Sequence, residues 1–122
     1  MSIYSEEQAR AILDKVIKAS KADQCSATLA GGSSGNVRYA LNSVSTSGHV
    51  DDVNLAVEVA FGKRVGTATI NAFDDASIVA VVRRAEELAK LAPENPEFVP
   101  AIPKQAYRAS DTFNTRTAAI TP

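Results

Sequence analysis

The chain has 122 residues and a formal net charge of −1. Hydrophobic residues make up 45% of it and charged residues 22%. This length and composition fit one globular domain. The lack of a basic excess argues against direct DNA or RNA binding. No apolar run approaches the roughly 20 residues of a membrane helix, and no secretory signal is visible. A single cysteine, Cys25, cannot form an internal disulfide, so the cytoplasm is the expected location.

The first predicted element is an amphipathic helix that begins after Ser5. Gln8 follows three residues later, so the two residues form a capping box in which each side chain bonds the other's backbone N–H. Apolar residues then recur at the spacing of one helix face, namely Ala9, Ile12, Leu13, Val16 and Ile17. The pattern predicts a helix packed against another part of the fold.

Two alternating runs follow, at residues 25–30 and 37–41, and residues 31–35 separate them. The Gly- and Ser-rich interruption predicts a hairpin turn between two strands. Residues 42–52 are polar and rich in serine, and we interpret them as a loop or an irregular strand end.

The strongest strand pattern covers residues 53–61, and a two-residue turn at Gly62 and Lys63 follows it. Glycine at the first position suits a type II′ turn. That turn predicts the pairs Phe61–Arg64, Val59–Gly66, Val57–Ala68 and Leu55–Ile70. Large side chains thus lie beside small ones, and Gly66 and Ala68 leave a trough into which a helix fits closely.

The last regular element is a helix that Asp74 or Asp75 caps and Pro93 stops. Its predicted apolar face consists of Ile78, Val81, Val82, Ala85, Leu88, Ala89 and Ala92, and its polar face of Arg83, Arg84, Glu86, Glu87 and Lys90. The element order α-β-β-β-β-α predicts an α+β two-layer sandwich, with two helices on one face of a mainly antiparallel four-stranded sheet.

The predicted domain spans residues 1–92. Residues 93–104 contain four prolines and are interpreted as a linker. Residues 105–122 show neither helical nor strand periodicity, and a closing stretch of about 20 unstructured residues is unusual in a compact domain. We therefore interpret residues 93–122 as a Pro-rich linker and the start of a missing downstream region.

Several of these segments, in this order and spacing, resemble the amino-terminal region of the TldD/PmbA family, also called modulators of DNA gyrase. Residues 61–71, FGKRVGTATIN, are similar to the family's G-x-R-x-G-x-A-x-T strand, and residues 74–78 and 85–90 to the helix that follows it. Residues 37–42 and the Pro-rich residues 93–100 also match the family's pattern. The similarity covers about residues 5–105.

The resemblance implies an intracellular zinc metallopeptidase, often a two-subunit assembly, that acts on unfolded peptides. Family members are linked to peptide-antibiotic maturation and antitoxin breakdown. The family's metal site is an H-E-x-x-x-H helix with later ligands, all downstream of this region. Here the only histidine is His49 and no H-E pair occurs. No catalytic, cofactor-binding or metal-binding residue is therefore assigned, and zinc is expected only in the missing downstream domain.

Other reactive residues have simpler structural explanations. One cysteine and one histidine fall short of a zinc ligand set, and a nucleophilic pair of Cys25 and His49 lacks an orienting third group. We expect Cys25 to be a small buried residue and His49 to lie in an exposed loop. Residues 31–35 lack the lysine and the following helix of a P-loop. Adjacent aspartates, at 51–52 and 74–75, suit loops and helix caps.

One surface is expected to make contacts. The reverse face of the last hairpin is small, partly apolar and weakly charged. The predicted interface or peptide-contact residues are Ala56, Glu58, Arg64, Val65, Thr67 and Thr69. An ordinary solvent-facing sheet explains the same pattern. The sheet edges also offer strand addition to an extended peptide.

The sequence thus predicts a non-catalytic scaffold and docking module of a TldD/PmbA-like zinc metallopeptidase. It would pack against the catalytic domain, join homo- or hetero-dimers of family members, and border the path of an unfolded peptide. Two alternatives stay open. One is a free-standing protein that homodimerises through a sheet edge. The other is a small enzyme with its chemistry in residues 42–52, which would need His49.

Overall fold

The computed structural model describes residues 4–121 and is an α+β fold. Its elements are α1 (Glu6–Ala19), β1 (Gln24–Ala40), β2 (Ser43–Phe61), β3 (Arg64–Ile70), α2 (Asp75–Leu91) and α3 (Thr115–Ala118). The strands form an antiparallel sheet in the order β1-β2-β3. Within the described range, no helix is long and apolar enough to cross a membrane.

The first half of the sheet corrects the prediction of four strands. Residues 31–35 form no turn, because β1 continues through them to Ala40. Residues 43–52, which the sequence leaves as a loop or an irregular strand end, belong to the regular strand β2. The chain reverses at Leu41 and Asn42, whose φ angles are 52° and 56°. Positive φ at both central residues defines a type I′ turn, whose twist matches that of paired strands. Among residues 4–121 the sheet therefore has three strands.

Gly31 lies inside this ladder for a steric reason. A Cβ atom on Gly31 would lie 2.6 Å from the carbonyl oxygen of Asp52 and 2.9 Å from the Cα of Val53. The glycine therefore permits a close approach between paired strands, which is the second common use of glycine besides the turn.

The β2–β3 hairpin has the predicted register. Phe61 pairs with Arg64, Val59 with Gly66, Val57 with Ala68, and Leu55 with Ile70. Gly62 has a φ of 59°, and Lys63 is not among the described residues with positive φ. Positive φ at the first central residue alone is the pattern of a type II′ turn.

The core lies between this hairpin and the two long helices. Leu55, Val57 and Val59 of β2 are at most 1% exposed. The other members of the buried cluster are Ile12, Val16, Ala68, Ile78, Val81, Val82, Ala85 and Ala89. Since alternate strand residues share a face, α1 and α2 cover the same face of the sheet.

The trough predicted at Gly66 receives α2. A Cβ atom on Gly66 would overlap the carbonyl oxygen of Ala85 and the backbone nitrogen of Ala89, and would lie 2.9 Å from the Cα of Ala89. Ala85 and Ala89 are fully buried. Helix backbone and strand backbone are therefore in direct contact at this point.

Helix α1 begins with the predicted capping box. The backbone N–H of Gln8 donates to Ser5 Oγ at 3.2 Å, and the N–H of Ser5 donates to Gln8 Oε1 at 2.9 Å. Val16 is fully buried, whereas Ile17 is exposed although the sequence places it on the apolar face. Neighbouring helix residues point about 100° apart. Ile17 therefore points away from the buried side of the helix, on which Val16 lies.

Two residues of α2 also lie outside their predicted environments. Leu88 is exposed, and Glu86, which the sequence places on the polar face, is only 8% exposed. The Glu86 carboxylate accepts hydrogen bonds from the backbone N–H of Lys21 at 2.6 Å and from the hydroxyl of Ser20 at 3.3 Å. These bonds offset the cost of burying the carboxylate and tie the end of α1 to α2.

Asp74 is the residue that caps α2. Its Oδ1 accepts a hydrogen bond from the backbone N–H of Ser77 at 3.0 Å. Hydrogen bonding from the side chain and backbone of Ser77 lowers the pKa of Asp74. A lowered folded-state pKa means that ionised Asp74 stabilises the fold above its ordinary pKa, and that this contribution is lost as the pH falls through the lowered value.

We expect Asp74→Asn to weaken the acid dependence of stability. Asparagine still caps a helix but does not titrate, so the Tm of the variant should fall less steeply than that of the wild type between about pH 5 and pH 2. Thermal unfolding followed by circular dichroism measures both slopes. Asp111→Asn, in the exposed carboxyl-terminal segment, is the matched control. Equal slopes for Asp74→Asn and wild type would contradict the assignment.

The Pro-rich segment stays on the sheet beyond Pro93. The N–H of Asn95 donates to the carbonyl oxygen of Lys63 at 2.9 Å, and the N–H of Ala101 donates to Gln24 Oε1 at 3.1 Å. We call residues 95–101 the strap. The hydrogen bonds of the strap involve residues that follow position 92, where the sequence places the end of the domain. That domain limit stays a prediction. Residues 102–121 are exposed and include the four-residue helix α3.

Candidate functional site

The most extended feature of the sheet is a two-stranded arm. β3 ends at Ile70, opposite Leu55, so beyond that pair β1 and β2 bond only to each other. We call residues 31–53 the arm, and all of them are exposed except the half-buried Gly48 and Val53. An isolated two-stranded hairpin is marginally stable in water, so the arm is the part of the domain that a partner would stabilise most.

The tip of the arm is apolar. Tyr39 is 78% exposed and pairs with Val44, and Leu41 in the turn is 100% exposed. A left-handed conformation costs a residue such as leucine about 1 kcal/mol or more, and Leu41 recovers none of this through burial. The tip therefore offers apolar surface that residues 4–121 leave uncovered.

Three reactive side chains meet on one face of the arm. Ser33 Oγ lies 2.9 Å from His49 Nε2, which lies 3.3 Å from Asp51 Oδ1. The register brings them together, because Ser33 pairs with Asp51 and Gly35 pairs with His49. Hydrogen bonding from Ser33 lowers the pKa of Asp51. His49 therefore lies in a strand and not in the loop that the sequence predicts.

This cluster is not arranged as a catalytic triad. In a Ser-His-Asp triad the serine and the carboxylate contact different nitrogens of the imidazole, whereas here both contact Nε2. The geometry suits cross-strand bonding of the arm, which weakens the alternative of a small enzyme centred on residues 42–52.

The residues present do not fit a zinc ion. Cys25 and His49 lie about 30 Å apart along the sheet, at ~3.3 Å per strand residue. Burial raises the pKa of the Cys25 thiol, which opposes the thiolate that zinc requires. Among residues 4–121, no group of three or more His, Cys, Asp or Glu side chains could hold a metal ion.

Five of the six predicted contact residues lie on the reverse face, the face of the sheet turned away from α1 and α2. Ala56 pairs with Thr69, Glu58 with Thr67, and Ala60 with Val65. Glu58, Thr67 and Thr69 are exposed, whereas Ala56 and Val65 are half-buried. The reverse face is thus mostly polar and accessible at its threonines.

Arg64, the sixth predicted contact residue, lies on the side of the sheet that α2 covers. Its Nη1 donates to the carbonyl oxygens of Ala92 at 3.2 Å and of Lys90 at 3.4 Å. A cation beside the last carbonyl groups of a helix is favourable. Arg64 therefore caps α2.

The strap covers one end of the reverse face. Phe98 and Val99 line a cavity of about 230 Å³ together with Ser26, Glu58 and Ala60. Ala60 is buried. A partner can therefore contact the reverse face around Thr67 and Thr69, but it would have to displace the strap to reach Ala60.

Sequence reasoning missed the arm and the strap. The signal that could have located the arm is Asn42, because asparagine tolerates the left-handed conformation that a tight turn needs. The runs on either side of Asn42 are long enough to pair throughout. No comparable signal exists for the strap, whose bonds join residues distant in sequence.

The described residues form an α+β domain with an exposed arm. Its surfaces are open to contact with a partner, and among these residues no group of side chains could hold a metal ion. The family model described as PmbA/TldA metallopeptidase domain 1 matches residues 27–89, which is 63 of the 122 residues. The chain therefore belongs to the PmbA/TldA family and contains its first domain, which confirms the resemblance found in the sequence.

Two solved structures share this fold. TldE from Thermococcus kodakarensis has a TM-score of 0.74 and 16% identity, with 93% of this chain and 25% of that chain covered. A candidate modulator of DNA gyrase from Bacteroides thetaiotaomicron has a TM-score of 0.65 and 12% identity, with 96% and 28% covered. The chain thus spans about a quarter of the length of either protein. No curated protein sequence matches the chain.

Proposed function

We propose that the chain is a non-catalytic scaffold and docking module of a TldD/PmbA-type metallopeptidase. The match of residues 27–89 to the first domain of that family carries the proposal. Peptide hydrolysis would belong to polypeptide outside this chain, because the chain spans only about a quarter of each solved relative. Zinc would be bound there as well, and the substrates would be unfolded peptides in the cytoplasm.

Two surfaces support a docking role. The arm has unpaired backbone along its outer edge and an apolar tip, and the reverse face has an accessible region at Thr67 and Thr69. We expect the catalytic domain to pack on one of these surfaces. The arm edge could hold an extended peptide or a second family member by strand addition.

A titration tests the proposal directly. We expect the catalytic domain of a TldD/PmbA-type peptidase to shift amide resonances of the ¹⁵N-labelled chain on the arm or at Thr67 and Thr69. The chain alone, supplied with zinc, should not cleave an unfolded peptide. Thr67→Lys should weaken binding at the reverse face, whereas Thr117→Lys in the exposed α3 should not. Absence of any shift, or zinc-dependent cleavage by this chain alone, would refute the proposal.

A further inference from the structure

The strap forms the roof of a small cavity at one end of the reverse face. It is attached at Asn95, whose N–H donates to the carbonyl oxygen of Lys63 in the β2–β3 turn. It is attached again at Ala101, whose N–H donates to Gln24 at the start of β1. Two prolines lie between these attachment points, and proline restricts the backbone. The roof is therefore preformed.

The cavity beneath the strap has apolar walls and one charged residue. Its volume is about 230 Å³, below the roughly 300–1,000 Å³ of pockets for drug-sized molecules, so it suits a single side chain. Phe98 and Val99 lie in its roof and Ala60 in its floor. Among the described residues, Glu58 is the only charged one that lines it. Because Glu58 is exposed, its carboxylate lies where the cavity opens to solvent.

Glu58 is a carboxylate with no cation beside it on the reverse face. Ser26 and Thr67 lie directly opposite on the neighbouring strands, and the next residues of this face along each strand are also uncharged. No basic side chain within residues 4–121 forms an ion pair with Glu58. A single carboxylate supplies too few ligands for a metal ion. The unpaired charge therefore favours an organic cation.

We propose that the cavity under the strap binds an alkylammonium group, supplied by a lysine side chain of an unfolded peptide. Lysine buries its aliphatic stem along apolar surface and keeps its charged head near water, which matches apolar walls that end at an exposed carboxylate. The stem packs against Phe98 and Ala60, and the ammonium donates to Glu58 and to the hydroxyl of Ser26. The ring of Phe98 also attracts a cation. This inference rests on the proposed function for the peptide and names a side chain that the peptide carries.

Two peptides that differ in one charge test the site. A short alanine peptide with a central lysine, blocked at both ends, should shift the amide resonances of Ser26, Glu58 and Phe98 in the ¹⁵N-labelled chain. We expect a Kd of about 1–10 mM, since exposed ion pairs are weak. The same peptide with norleucine has the same stem without the ammonium, and it should bind about fivefold more weakly or less still.

Three variants assign the preference to particular side chains. Glu58→Gln should abolish the preference for lysine over norleucine, because it removes the charge and keeps the shape. Glu87→Gln is the matched control, because it removes a carboxylate from the exposed side of α2 and should keep the preference. Phe98→Ala removes an apolar wall, so it should weaken the binding of both peptides.

Circular dichroism verifies that each variant is folded. The inference is wrong if the two peptides bind the wild type equally, if Glu58→Gln keeps the preference, or if the shifts fall on the arm instead of around Glu58. The titration with the catalytic domain decides separately about the proposed function. A chain that binds this domain without preferring lysine overturns only the present inference. A chain that prefers lysine and does not bind the domain overturns only the docking role.

Discussion

Replacing Gly66 by alanine should destabilise the domain by about 3 kcal/mol or more, a large part of the stability of a single domain. The added Cβ would overlap the carbonyl oxygen of Ala85 and the backbone nitrogen of Ala89. These atoms belong to the helix backbone, so no change of rotamer relieves the overlap and α2 must move away from the sheet. Gly66→Val should prevent folding altogether. Urea unfolding followed by circular dichroism measures the loss.

Gly32→Ala is the control for this change, because a Cβ on Gly32 meets nothing within 4 Å. Its stability should stay within about 0.5 kcal/mol of the wild type. If Gly66→Ala proved as stable as Gly32→Ala, the seating of α2 on β3 would be wrong.

The second large effect is expected at Gly31. Alanine there would place Cβ 2.6 Å from the carbonyl oxygen of Asp52 and 2.9 Å from both the Cα and a methyl carbon of Val53. The overlap involves the backbone of the paired strand, so the arm should separate at its base, at a cost of about 1–3 kcal/mol. Amide hydrogen exchange should rise between residues 31 and 53, whereas the α1–α2 core should keep its protection.

The comparison with Gly32→Ala also separates two topologies. In a continuous ribbon the adjacent glycines differ sharply, because Gly31 touches the opposite strand and Gly32 faces open space. In a flexible turn at residues 31–35 both substitutions would be tolerated alike. Equal hydrogen exchange in the two variants would therefore argue against the arm.

The sequence predicted the parts of the fold that neighbouring residues determine. The capping box at Ser5 and Gln8, the helix cap expected at Asp74 or Asp75 and found at Asp74, and the register set by Gly62 and Lys63 all depend on contacts within a few residues. The glycine at position 66 correctly indicated that a helix approaches the sheet closely there, because strand alternation had already shown which residues face the core.

The arm could not be predicted in the same way. Gly31 serves a contact with Asp52 and Val53, but glycine followed by glycine and serines is also the usual composition of a turn. The actual turn contains Leu41, which composition does not favour at positive φ. Only the pairing of residues 24–40 with residues 43–60 decides between the two topologies.

For the candidate site, too, the sequence predicted what strand alternation determines and missed what depends on contacts between distant residues. Alternation correctly assigned Ala56, Glu58, Val65, Thr67 and Thr69 to one face. It did not show that Arg64 reaches the end of α2, or that Phe98 of the strap covers the far end of that face. The cluster of Ser33, His49 and Asp51 was hidden for a related reason, because it forms only when residues 31–35 and 49–53 are paired strands.

The absence of a side chain at Gly66 determines where α2 sits. A shift of the helix by one turn, about 5.4 Å, would bring Val81 instead of Ala85 over the glycine, and its branched side chain has no room there. Rotation about the helix axis would bring Val82 or Glu86 to the same place. The small residues Ala85 and Ala89 therefore allow the observed seating of α2, which these displacements would oppose. The hydrogen bond from Lys21 to Glu86 and the contact of Arg64 with Ala92 are made in that seating.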